Sequence, residues 1–292
     1  MDRPIFVHIP KTGGSTMRQI ILNNVDPRRT LTVGSDHEKV MREFAALSQH
    51  ERDQYVAALG HFRYGIHRFF SSGTPRYFTM LRHPVERTLS NYSYALERPR
   101  QPHHFEIGRS SFIEFASDQR LGQKQSMWLM GYVPSDKATL EVYGRELPLP
   151  ENAVEILKKR LSEEFVLAGV LEQYDASLLL LQDIFNWKSV YYERANTTKK
   201  RLRYKDLNAE EKRILDALTG PDFELYDWVK ARLDAQIEQR GDLFQKRLKA
   251  FQAANATYVD RRRQFNRIRR KLHPKRLAKA ALRRLRGAAP PA

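Results

Sequence analysis

Pro4-Ile5-Phe6-Val7-His8-Ile9-Pro10-Lys11-Thr12-Gly13-Gly14-Ser15-Thr16-Met17-Arg18-Gln19-Ile20-Ile21-Leu22-Asn23-Asn24 reads as a strand, a loop and an amphipathic helix in direct succession. Ile5, Phe6, Val7 and Ile9 are β-branched or aromatic with no two-residue alternation, the pattern of a buried strand in a parallel sheet. Pro10 ends the strand. Gly13 and Gly14 allow backbone angles and close approaches that side chains forbid, and Ser15 or Thr16 offers a hydroxyl to cap the helix. The first N–H groups of that helix, its dipole and the Lys11 ammonium together favour a phosphate or a sulfate. The rival is the nucleotide loop G-x-x-x-x-G-K-[ST], in which Lys follows the second glycine. Here Lys11 precedes Gly13 and Gly14, so it enters from the strand side. The bland alternative is a plain corner with a solvated lysine.

Outward from this corner, Thr30 to Gly34 predicts a second strand, Glu38 to Leu47 a helix, and Tyr55 to Leu59 a strand opening into a loop at Gly60-His61. Loops at the carboxyl ends of parallel strands are where such sheets place chemistry, so His61 is a candidate base. A histidine satisfied by a carbonyl is the competing reading, and His67 carries less signal. Arg76 to Leu81 is a further buried strand. It ends in Arg82-His83-Pro84-Val85-Glu86-Arg87-Thr88-Leu89-Ser90, where Pro84 suits the first turn of a helix and Glu86 its positive end. Helical spacing sets Ser90 on the face of Glu86 and Arg87, turned toward the loop of Arg82. A guanidinium and a hydroxyl converging there make a second oxyanion site. The alternative pairs Arg82 with Glu86 and bonds Ser90 to its own helix.

His103 and His104 adjoin each other without a carboxylate at metal-ligand spacing, so a solvated loop outweighs a metal site. Helices are predicted over Ser111 to Gln119, Gln123 to Met130, Glu151 to Ser162 and Gln173 to Phe185, with a strand over Phe165 to Leu171. Leu178 to Leu181 reads as core. Tyr191 to Arg203 is a basic loop, with Thr197, Thr198 and Lys200 able to meet a nucleotide. Asn208 to Leu218 and Asp222 to about Arg240 are two further helices, the first with a capping box of Asn208 and Glu211.

The chain has 292 residues, a net charge of +17 and no cysteine. Thirteen Lys or Arg and no acid lie between Arg261 and Arg286, which leaves only four net positive charges for everything else. The body is therefore mildly basic and the extension strongly so, a division expected as residues 1–240 and 241–292. Aromatic residues are nearly absent after Phe265, which argues against single-strand nucleic-acid recognition. The basic run 261–286 is instead a candidate contact for an anionic membrane surface or a polyanion. Without cysteines, disulfides and thiol chemistry are excluded and a reducing compartment is expected. No run of about 18 apolar residues occurs, and no basic-then-apolar leader opens the sequence.

The order of these pieces resembles the sulfotransferases that use 3′-phosphoadenosine 5′-phosphosulfate. The loop from Ile9 to Thr16 looks like their 5′-phosphosulfate loop, and Leu81 to Ser90 like their 3′-phosphate motif with Arg and Ser eight apart. Within that superfamily the chain is most similar to the carbohydrate branch of heparan and dermatan 2-O-sulfotransferases. Gly60-His61, Gly122 to Gly131, Gly169 to Ser177 and Asn196 to Lys200 add to the likeness, which spans roughly residues 4 to 235.

The resemblance implies an α/β fold, a three-layer P-loop-like parallel sheet flanked by helices, with a C-terminal basic helical extension. It implies that Lys11, Thr12, Gly13, Gly14, Ser15 and Thr16 hold the 5′-phosphosulfate and that Arg82 and Ser90 hold the 3′-phosphate. Thr197, Thr198 and Lys200 would close on the nucleotide. Lys11 and His61 would be catalytic, His61 as base, with no metal and with a carbohydrate acceptor, an anionic oligo- or polysaccharide among the candidates. The 2-O enzymes carry a second His two residues before the base, where this chain has Leu59. A bacterial-type enzyme, cytoplasmic or peripheral to a membrane, is expected, since the anchor and cysteines of the Golgi relatives are missing. Two other classes stand beside it. A magnesium-dependent kinase would want an acid where Arg82 ends its strand, and a polyanion-binding module would rest on the extension.

Overall fold

The computed structural model describes residues 2–34, 36–98, 109–117, 125–131, 149–194 and 202–271, with no side-chain description at 221 and 267–271. In chain order it runs β1 (Asp2–Val7), α1 (Gly14–Asn24), β2 (Thr30–Val33), α2 (His37–Ala46), α3 (Gln49–Asp53), β3 (Ala57–Gly60), β4 (Thr74–Leu81), α4 (Pro84–Glu97) and α5 (Phe112–Ser117). It continues with α6 (Gln125–Met130), α7 (Ala153–Glu163), β5 (Phe165–Val170), α8 (Tyr174–Phe185), α9 (Ala209–Gln239) and α10 (Gly241–Lys271). The five strands form one parallel sheet in the order β2-β3-β1-β4-β5, flanked by helices. This is the α/β architecture expected from the sequence.

The opening strand is central because it is buried on both faces: Ile5, Phe6 and Val7 are each at most 1% exposed. Its neighbours are β3 on one side and β4 on the other, with Val7 opposite both Gly60 and Thr79. The chain leaves β1 toward one edge and later crosses to the other side, so the carboxyl end of β1 lies at the switch point where such sheets open a crevice. The Leu178 to Leu181 run is wholly buried and belongs to the main core. A second apolar cluster joins Val85, Leu89 and Tyr92 of α4 to Phe112 and Phe115 of α5 and to Leu207 and Leu215.

Two expectations change. The helices expected on either side of Gly220 and Pro221 are one, the 31-residue α9. Pro221 costs the helix a backbone bond, but Leu225, Tyr226, Val229 and Leu233 beyond it are all buried, and their packing keeps the axis continuous. The capping box of Asn208 and Glu211 at its start is present in both directions.

The basic extension begins as a packed helix. Phe244 and Phe251 of α10 are 5% and 7% exposed and lie in the main core. Arg247 bonds Asp183, Gln252 bonds Asp175, and the backbone N–H of Tyr192 donates to Asn255 Oδ1 at 2.8 Å. Farther along, Arg262 and Arg263 both approach Glu193. No helix among the described residues is long and apolar enough to cross a membrane.

Candidate active site

Three adjacent strand ends converge at the crevice: the Lys11 loop after β1, His61 after β3 and Arg82 after β4. Neighbouring strands stand about 4.8 Å apart, so residues from widely separated parts of the sequence meet within one ligand's reach.

Lys11 and Gly13 both adopt the left-handed backbone, φ 71° and 87°. Gly13 is the N-cap of α1, and no side chain caps this end. The expected cap from Ser15 or Thr16 is therefore corrected: the helix starts two or three residues early, at Gly14, which places both hydroxyls inside it. Thr12 is fully buried and donates its hydroxyl to Ile9 O at 2.8 Å, so it braces the loop. Glycine is required at both central positions. A Cβ on Gly13 would stand 2.8 Å from Leu171 Cδ1, and one on Gly14 1.8 Å from the His8 ring. The Lys11 ammonium lies 3.5 Å from the centre of the Tyr94 ring of α4, a cation–π contact at the edge of the cleft.

Arg82 is tied to that same loop. Its Nη1 donates to Lys11 O at 3.1 Å, while Nη2 stands 3.9 Å from Glu86 Oε2. Ser90 is 5% exposed within α4. The bond of Arg82 to the Lys11 loop is not among the expectations, whereas the Glu86 contact is the one the alternative reading names.

The backbone of Arg82 is held by a residue the sequence reading did not single out. Gln125 Oε1 accepts from Arg82 N at 2.9 Å, and Gln125 Nε2 donates to Arg82 O at 2.7 Å. Asp222 of α9 secures this clamp by accepting from the N–H groups of Gln125 and Ser126 and from the Ser126 hydroxyl, at 2.7, 3.0 and 2.8 Å. It serves as the cap of α6 from another helix. Asp222 also faces the buried Arg87, whose guanidinium burial pushes down in pKa and the carboxylate pushes up. Gln125 lay in a stretch marked by resemblance; Asp222, 97 residues away, carried no local signal.

His61 follows Gly60, whose φ of 137° would strain any other residue and whose added Cβ would stand 2.0 Å from Val33 O. The backbone N–H of His61 donates to Val33 O, and its ring Nδ1 lies 3.1 Å from His8 O. A carbonyl only accepts, so Nδ1 carries a proton, and in the neutral ring Nε2 is then the basic nitrogen, the tautomer a base requires. Position 59 is Leu, yet His61 still has an imidazole neighbour: the His8 ring stacks on it at 4.2 Å and 24°. Trp128 of α6 lies 5.9 Å away on a tilted plane. His8, read from sequence only as part of the strand, is its last polar outlier, between Val7 and Ile9. Burial, then the nearby His61, Lys11 and Arg18, hold its pKa well below the usual imidazole value.

Thr197, Thr198, Lys200, His103 and His104 lie outside the described residues. Among the described residues no group of three or more His, Asp or Glu could hold a metal ion. The crevice therefore gathers two cationic side chains, a helix N-terminus and a histidine, residue types able to bind an oxyanion and accept a proton from a hydroxyl. No curated protein matches the chain. Residues 2–129, which include β1 to β4, the Lys11 loop, His61, Arg82 and Ser90, match the model described as the sulfotransferase family, and that match supports sulfuryl transfer in general.

Proposed function

We propose that the protein moves a sulfuryl group from 3′-phosphoadenosine 5′-phosphosulfate to a hydroxyl of a carbohydrate acceptor, by in-line transfer with His61 as base. One observation carries this reading: the Lys11 loop and Arg82 are joined by a hydrogen bond at the ends of neighbouring strands, with His61 at the end of the strand on the other side of β1. The loop N–H groups and Lys11 grip the 5′-phosphosulfate, and Lys11 offsets the charge that gathers on the leaving phosphate. Arg82 and Ser90 hold the 3′-phosphate, which fixes the donor for attack. His61 Nε2 takes the proton of the acceptor hydroxyl. Thr197, Thr198 and Lys200 join the nucleotide site on the strength of the resemblance alone. The basic run 261–286 suits an anionic glycan or membrane surface, and the absence of cysteine suits the cytoplasm.

Incubation with sulfur-labelled donor and a panel of glycans tests the reading. Label is expected on at least one glycan without added magnesium, and the desulfated nucleotide should compete. Absence of both transfer and nucleotide binding would defeat it, and phosphoryl transfer from ATP would favour the kinase class.

A further inference from the structure

His8 occupies a position in the cleft that no step above uses. Its ring lies between Gly14, at the start of α1, and the ring of His61. One edge, Cδ2, Nε2 and Cε1, lies against Gly14 at the start of α1, close enough that a Cβ there would overlap all three atoms. One face stacks on His61 at 4.2 Å, and Phe6 stacks nearby at 5.6 Å and 13°. The backbone of His8 is fixed as well, since its N–H donates to Gly60 O and its carbonyl accepts from the His61 ring. Among the described residues the His8 ring makes no hydrogen bond, and the residue is half-buried rather than sealed in the core.

Resting on the sulfotransferase reading, we propose that His8 is a second catalytic imidazole, a neutral ring whose Nε2–H donates a hydrogen bond to an oxygen of the sulfuryl group as it crosses from the Gly14 end to His61. In that step the acceptor O–S bond forms while the S–O bond to the phosphate breaks. The hydroxyl proton goes to His61 Nε2, and the electron pair of the broken bond stays on the phosphate oxygen beside Lys11. His8 gives up and takes no proton. Its surroundings suit that role: burial first, then His61, Lys11 and Arg18, all disfavour a positive charge on the ring, so it remains a hydrogen-bond donor and a poor base. A fixed donor aimed where charge is shared in the transition state needs no reorganisation when the reaction occurs.

The test compares His8→Phe, which keeps a stacking ring without a donor, with His8→Gln, which restores an N–H, in the full-length chain. Binding of adenosine 3′,5′-bisphosphate is measured by calorimetry, and kcat and KM with labelled donor. Wild-type binding and turnover come first, and failure of both removes the sulfotransferase reading and this proposal together. With those in hand, His8→Phe is expected to bind the bisphosphate within about twofold of wild type and to lose about 100-fold in kcat. His8→Gln is expected to recover much of that loss. Wild-type turnover in His8→Phe, or an equal loss in Phe and Gln variants, overturns the donor role and leaves the wider reading standing. His8→Leu replaces His8→Phe if circular dichroism shows the latter unfolded.

Discussion

At the scale of single residues the cleft depends on where protons sit and where a Cβ does not fit. The carbonyl of His8 sets the His61 tautomer. His61→Ala should therefore keep nucleotide binding and lose about 10²- to 10⁴-fold in transfer, measured as single-turnover rate against bisphosphate affinity; near-normal turnover would remove His61 from the role. Gly60→Ala should lower stability by at least about 1–3 kcal/mol for the backbone strain, read from the urea midpoint, because the added carbon also meets Val33 O. His8 also gives stability a pH dependence. Its pKa is depressed in the folded chain relative to the ordinary 6.5, so below that value the unfolded chain takes up a proton that the folded one refuses. Stability then falls on acidification from neutral pH, by at most about 1.4 kcal/mol per pH unit for one group. His8→Phe should flatten the slope of melting temperature between pH 7 and 5, and an unchanged slope would assign it elsewhere, with His67, shifted the same way by burial, the next group to examine.

At the scale of elements, the six-residue α6 is too short to stand alone, yet it links the site. Gln125 at its start clamps the backbone of Arg82, and Trp128 one turn on approaches His61. What holds α6 is Asp222 from α9. Gln125→Leu should leave the fold intact and weaken binding of adenosine 3′,5′-bisphosphate by about tenfold, the equivalent of about 1.4 kcal/mol, by freeing Arg82. Asp222→Ala should be costlier, about 3–5 kcal/mol, since it strips three hydrogen bonds from α6 and leaves the buried Arg87 without its carboxylate. Equal nucleotide affinity in wild type and Gln125→Leu would show that Arg82 needs no such clamp.

For the whole molecule, the question is how far the basic extension belongs to the body. Phe244 and Phe251 are core residues, and a buried Phe stabilises a fold by about 1.5–3 kcal/mol. A chain cut after residue 240 loses both, together with the bonds from Arg247, Gln252 and Asn255. Against a typical total of about 5–15 kcal/mol, it should unfold at markedly lower temperature or aggregate. A chain cut after residue 271 keeps these contacts and should melt like wild type. It also loses six of the thirteen basic residues between 261 and 286, so it should elute from a sulfated polysaccharide column at lower salt; unchanged elution would place polyanion contact outside residues 272–292.

Much of this protein could be read along the chain because its elements advertise themselves locally. The alternation-free apolar runs predicted the buried strands, and prolines and glycines marked their ends. The pairing of Lys11 with two glycines marked the loop between β1 and α1, since backbone freedom and charge are properties of adjacent residues. What the linear order left open was decided by distance in space. Only the sheet order made β3 and β4 the neighbours of β1, and so set His8 against His61. Only side-chain packing carried α9 through Pro221 and drew the start of α10 into the core. The Gln125 and Asp222 clamp joins residues 97 positions apart, a relation that local periodicity does not encode because neither residue needs the other until the core has formed.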